Sequence, residues 1–223
     1  GIFERDYPPA SERNAIVDRI RAMSESDRSP DDWWMMGEYL VYNGLMDEDD
    51  GVVNEGIQAL TSGANHPTPS PACMLDLAWI LMHRNLDGMA LPYLEKAVEI
   101  APGSRDAFSL KALCHIGNSQ REEAIAAAAS AVSLESTTDA DRSLLKDLNS
   151  GRELKEIRKS MILRKMEPDL MGLGRYSPQE EAKVLCHILS PILATAPNDA
   201  ELLYPLAHAR YVLAQYDKAV PLL

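Results

Sequence analysis

The 223-residue chain is poor in the features that usually announce a chemistry. No apolar run approaches the ~18 residues needed to span a bilayer, so no membrane span is expected. Cysteine is scarce: Cys73, Cys114 and Cys186 are odd in number and far apart, with neither a disulfide framework nor metal-ligand spacing. Each falls in an apolar helical stretch, where a free thiol behaves as a small hydrophobe. Missing too are G-x-S-x-G, H-E-x-x-H, G-x-x-x-x-G-K-[ST] and G-x-G-x-x-G, so no catalytic residue, cofactor or metal is expected. The pairs Cys114-His115 and Cys186-His187 sit side by side in sequence, but neighbours on a helix point about 100° apart. That suits neither a nucleophile with its base nor a two-ligand clasp.

Positive charge is also short. Against 34 acidic residues stand 22 Lys and Arg, for a net charge of −12, which repels phosphates and argues against a nucleic-acid or anionic-membrane binder. The densest acidic run, Asp47-Glu48-Asp49-Asp50-Gly51, fails as a calcium loop. An EF-hand wants acids at alternate positions, glycine sixth and glutamate twelfth, whereas here glycine is fifth and the twelfth residue is Gln58. The expectation is a solvated acidic turn. With no leader visible, a reducing cytoplasm fits, and a periplasmic home fits as well.

What the chain does have is a 34-residue echo. Met74, Ala78, Leu81, Ala90, Ala97, Val98 and Ile100 are answered by Phe108, Ala112, His115, Ala124, Ala131, Val132 and Leu134. Small residues recur where two helices must approach closely, and larger apolar residues recur between them. Asn85 to Gly88 reads as the turn of the first unit, and Pro102-Gly103 as its stop. A further unit opens after Ala196-Pro197-Asn198-Asp199, with Leu203, Leu206, Ala207, Leu213, Tyr216 and Ala219 at the same spacings. On these residues the chain resembles the tetratricopeptide (TPR) family, over 71–136 and 197–223. Gly37, Gly44, Gly56 and Gly63 resemble its Sel-type relative, with glycines at the tight contacts.

The resemblance implies an all-α, right-handed α-α superhelix, a TPR-like solenoid whose outgoing helices line a concave groove. The expected organisation is a lead-in and capping helix over 1–30, with Ser11 as its cap, repeats over 31–136, an irregular repeat over 137–196, and the start of a further repeat over 197–223. Within the irregular part Ala140 to Leu148 reads as an outgoing helix with no return helix at the expected distance. The segment 150–177 therefore reads as a basic insertion holding a helix from Arg152 to about Met166, and Ser177-Pro178-Gln179-Glu180 as the cap of a helix running to Ala196.

Carried over residue by residue, the groove-facing positions are Asp76, Trp79 and His83 in one repeat, and Glu201, Tyr204, Pro205, His208 and Tyr211 in the last. Aromatics with hydrogen-bonding tips make peptide-binding hot spots; the competing account packs Trp79 and Tyr211 against a neighbouring helix. The lysine, asparagine and arginine set by which chaperone-binding members clamp a terminal carboxylate is absent. Arg152, Lys155, Arg158, Lys159, Arg164 and Lys165 make the insertion basic, either to lie against the acidic remainder or to meet an acidic partner.

The function expected is a non-enzymatic scaffold holding a peptide or protein partner. One alternative is the substrate-selecting or oligomerising helical region of a larger enzyme such as a glycosyltransferase-like protein, which the absent initiator methionine and the uncapped end at Leu223 suit. Another is a secretion chaperone or toxin-neutralising protein, suited by acidity if the partner is basic. The open end at Leu223 also leaves a homo-oligomer in view.

Overall fold

The computed structural model describes residues 7–169 and 177–223, the side chains of 162–169 excepted. Among the described residues the chain is all-helical: α1 (Ala10–Arg21), α2 (Pro30–Asp47), α3 (Asp50–Ala64), α4 (Pro71–His83), α5 (Asp87–Ile100), α6 (Arg105–Gly117), α7 (Arg121–Ser133), α8 (Asp139–Asn149), α9 (Leu154–Asp169), α10 (Pro178–Thr195), α11 (Ala200–Val212) and the short α12 (Tyr216–Ala219). Two compact units share it: residues 1–44 with 49–158, and residues 45–48 with 159–223. The division falls inside α9, between Arg158 and Lys159.

The sequence period reappears as helix starts. Helices α4, α6 and α8 open at Pro71, Arg105 and Asp139, evenly spaced by one full period, and α5 and α7 open at Asp87 and Arg121, again one period apart. The offset between the two helices of a hairpin is the same in α4–α5, α6–α7 and α11–α12, the last opening at Ala200 and Tyr216. One piece of backbone chemistry closes these hairpins. Asn85, Ser119 and Ala214 occupy the same place relative to the start of their outgoing helices, with φ of 58°, 60° and 56°. The following amide reaches back along the chain, Leu86 to Leu81 at 2.9 Å, Gln120 to His115 at 2.8 Å and Gln215 to Arg210 at 2.9 Å. That is the Schellman arrangement, which satisfies carbonyls the helix end leaves open. Asn85 tolerates the left-handed position, whereas Ser119 and Ala214 carry a strain there that the packing of their two helices must offset.

In the first unit, sequence neighbours pack in order: α3 on α4, α4 on α5, α5 on α6, α6 on α7 and α7 on α8. The small residues sit where the repeat pattern needs them. Ala90, Ala97 and Ala124 have no exposed surface, and Ala131 is 1% exposed. The earlier glycines do the same for α2 and α3: a Cβ on Gly37 would come within 2.6 Å of the Leu60 side chain, and one on Gly56 within 2.7 Å of Val41. Val17 and Ile20 of α1 join Trp33, Met36, Leu40 and Ala59 in one apolar cluster.

Two local expectations change. Helix α1 begins at Ala10 after Pro9, and no side chain caps it, so Ser11 lies inside the first turn. The basic helix, α9, starts at Leu154, almost one period after the start of α7 at Arg121, where the sequence pattern shows no return helix. By contrast Ser177 and Glu180 form the anticipated capping box at α10, and α10 packs on α11 in the second unit.

Candidate functional site

Helix α11 carries the clearest exposed surface. Asp199 caps it, accepting from the Glu201 amide at 3.0 Å. Leu202, Leu206, Ala207 and Ala209 are buried, at helical spacing, and anchor it. The opposite stripe of Glu201, Tyr204, His208 and Tyr211 is exposed, Tyr204 to 69% and Tyr211 to 63%. Spacings of three, four and three place these four side chains on one helix face. Tyr216, which opens α12, is 54% exposed and meets Tyr211 edge-on, ring centroids 5.4 Å apart. Arg210 fixes the turn between them by donating to Gln215 Oε1 at 2.5 Å, while Gln215 donates to Glu48 at 3.0 Å.

One end of this stripe is electrostatically organised. Lys159 Nζ lies 2.5 Å from Asp199 and 2.6 Å from Glu201, with its side chain 11% exposed. The hydrogen bond from Lys159 holds the Asp199 carboxyl below its ordinary range, against the upward push of burial. Burial pulls the Lys159 ammonium down, but the two carboxylates outweigh it and its pKa rises.

The groove candidates of α4 are placed differently. Asp76 is 2% exposed and accepts the Trp34 indole N–H at 2.7 Å. Trp79 is 7% exposed, its ring centroid 3.8 Å from that of half-buried His83, and His83 Nδ1 donates to the Trp79 carbonyl at 2.8 Å. Asp76 and Trp79 thus offer a partner almost no surface. Pro205, the residue of α11 equivalent to Asp76, is half-buried.

Three of the four basic residues of the segment with described side chains are paired internally. Arg152 pairs with Asp147 at 3.2 Å, Arg158 with Asp87 at 3.0 Å, and Lys159 with the two acids above. Lys155 is exposed. Arg164 and Lys165 lie outside the described side chains. Sequence reasoning missed the Arg158–Asp87 and Trp34–Asp76 partnerships, which join residues 71 and 42 positions apart, and no local signal marks either.

Burial pushes the thiols of Cys73 and Cys114 up to about 12 and that of Cys186 to about 11, so none is a thiolate at neutral pH. His115 is buried on Gln120, and His187 donates to the Leu45 carbonyl. The acidic run around Asp49 serves as a helix cap, its side chain accepting from Gly51 and Val52 at 2.9 and 3.1 Å. Among the described residues no group of three or more His, Cys, Asp and Glu could hold a metal ion, and no helix is long and apolar enough to cross a membrane. No protein-family model matches the chain, and no curated protein is significantly similar to it.

Proposed function

We propose that the chain is a non-enzymatic helical-repeat module of the tetratricopeptide type that holds a peptide or protein partner, with the exposed face of α11 as its working surface. The observation that carries this reading is the stripe of Glu201, Tyr204, His208 and Tyr211 on a helix whose other face is anchored by four buried residues. Tyrosines lose little rotamer freedom on binding and bring both a flat apolar ring and a hydroxyl, so aligned tyrosines on a firm backbone suit a peptide. Monomeric surfaces seldom expose several large aromatics side by side without a use. At one end Asp199 and Glu201 share the single ammonium of Lys159, so one negative charge is left to favour a segment bearing amides or a positive charge, and such binding weakens as salt rises. The right-handed superhelix belongs to this reading too, since stacking at a fixed period winds an array in one sense.

A displayed library of random short peptides provides the test. Peptides enriched on the full chain should lose at least a hundredfold in affinity for the Tyr204→Ala/Tyr211→Ala variant, whose helicity should match the parent. Enriched peptides that bind the two proteins equally would refute the assignment of the surface. Absence of any enrichment would refute peptide binding itself.

A further inference from the structure

At the third pass of the repeat period the packing rule breaks. Ala90 of α5 and Ala124 of α7 are fully buried at the close contacts of their hairpins. In α9 that place, the fourth of the helix, falls to the larger Ile157, which is also fully buried, and Arg158 follows it. Arg158 donates from Nη1 to Asp87 Oδ2 at 3.0 Å and from Nη2 to the Met82 carbonyl at 3.0 Å.

The corner that receives it has the chemistry of a receptor. Met82 lies in the last turn of α4, where the helix presents its partial negative end. Asp87 opens α5, and its side chain is 7% exposed. Its Oδ2 takes the arginine, while Oδ1 is buried with no hydrogen-bond partner. A buried carboxylate oxygen left unpaired is costly, so the corner holds more acceptor capacity than Arg158 uses. Gly117 completes the space: a Cβ there would strike both the Asp87 carboxylate and Arg158 Nη1. The flanking residues Leu86 and Met89 expose 41% and 60% of their surface, next to the acidic group in the chain.

We propose that this α4–α5 corner is a guanidinium socket, filled in cis by Arg158, and that it takes the arginine side chain of a partner peptide when Arg158 withdraws. A planar fork of donors can satisfy a carboxylate and a carbonyl together, and can add a second bond to Oδ1; a lysine ammonium, a point charge, cannot match that geometry. The net charge of −12 favours a basic partner, and Leu86 and Met89 favour apolar residues beside its arginine. The inference goes beyond the α11 surface and does not depend on it.

The test uses the full chain carrying Arg158→Ala, titrated calorimetrically with N-acetyl-arginine amide and, separately, with N-acetyl-lysine amide. The variant should bind the arginine compound one to one, at least tenfold more tightly than the lysine compound and tenfold more tightly than the parent does. Its melting temperature should rise with the arginine compound. Adding Gly117→Ala or Asp87→Asn to Arg158→Ala should abolish that binding, and Tyr204→Ala/Tyr211→Ala should leave it unchanged. Equal affinity for the two compounds, binding to neither, or binding that survives Asp87→Asn would overturn the socket. If Arg158→Ala does not fold, Arg158→Lys decides. It keeps the charge but vacates the fork, and it should bind the arginine compound more tightly than the parent; affinity equal to the parent's refutes the proposal.

Discussion

Cys73, Leu77, Ala78 and Ile80 of α4 correspond, at one constant offset, to Leu202, Leu206, Ala207 and Ala209 of α11, and all eight are buried. Each helix carries the same third, seventh, eighth and tenth positions toward its packing partner, and each ends in the same left-handed turn. Their opposite faces part company. Asp76, Trp79 and Met82 are buried in α4, where the equivalent residues of α11 are half-buried Pro205, exposed His208 and exposed Tyr211. A repeat pattern therefore fixes how a helix joins its hairpin and leaves its other face to be assigned separately. In α4 that face is spent on internal contacts, with the Trp34 indole on Asp76 as one of them. In α11 it remains open to solvent.

The largest expected effect breaks the comparison at its ninth position. Trp79→Ala empties a buried aromatic site and should cost about 3–5 kcal/mol. The equivalent change His208→Ala removes an exposed side chain and should stay within about 0.5 kcal/mol. Denaturant melts of the two variants decide this, and equal losses would mean that α11's exposed face is covered in solution.

The eighth position should abolish the difference. Ala78 and Ala207 are 0% and 3% exposed, each at a helix contact. Leucine at either place adds volume where the neighbour has no room to yield, so Ala78→Leu and Ala207→Leu should each cost about 1–3 kcal/mol. The same holds for Ala97→Leu in α5, where no surface is exposed. A variant that melts like the parent would show that the repeat register is misplaced at that helix.

The comparison also separates what the residues disclose from what they do not. The opening of α11 after Asp199, the stop at Pro102-Gly103 and the Ser177–Glu180 capping box follow from local chemistry: caps, prolines and the spacing of small residues. Helix α9 is legible as a basic helix but not as the next member of the series, because the buried fourth residue, Ala90 in α5 and Ala124 in α7, is the larger Ile157 in α9. The Ser11 cap misleads because Pro9 already supplies the bend into α1, with ψ of 152° and its carbonyl accepting from Glu12 and Arg13 at 3.0 and 3.1 Å. The candidate site is half legible. Glu201, Tyr204, His208 and Tyr211 share a face by spacing alone. The burial of Asp76 and Trp79 depends on groups far away in the chain, which no helical period encodes.

The smallest effect concerns how each helix begins. Ser70 stands at the start of α4 without a side-chain capping bond, whereas Asp199 caps α11 and is gripped by Lys159. Asp199→Ala removes both and should cost about 1 kcal/mol, the usual value of a cap. The two starts should also differ in their response to pH. Asp199 has a folded pKa below its ordinary 3.8, so its contribution is complete above that value and disappears as pH falls through the lower folded value. Lys159 has a folded pKa above 10.5, so its share is complete below that pH and is lost only as pH rises through the folded value. Between those limits the pair is indifferent to pH. Following the tyrosine fluorescence of the Trp33→Phe/Trp34→Phe/Trp79→Phe chain, which reports on Tyr204, Tyr211 and Tyr216 among its eight tyrosines, loosening on acidification should begin at higher pH for Asp199→Asn, which lacks the ion pair throughout, than for the parent pairing, and the two should converge once Asp199 is protonated. Identical acid transitions in the two proteins would show that the Lys159–Asp199 contact adds nothing to the start of α11.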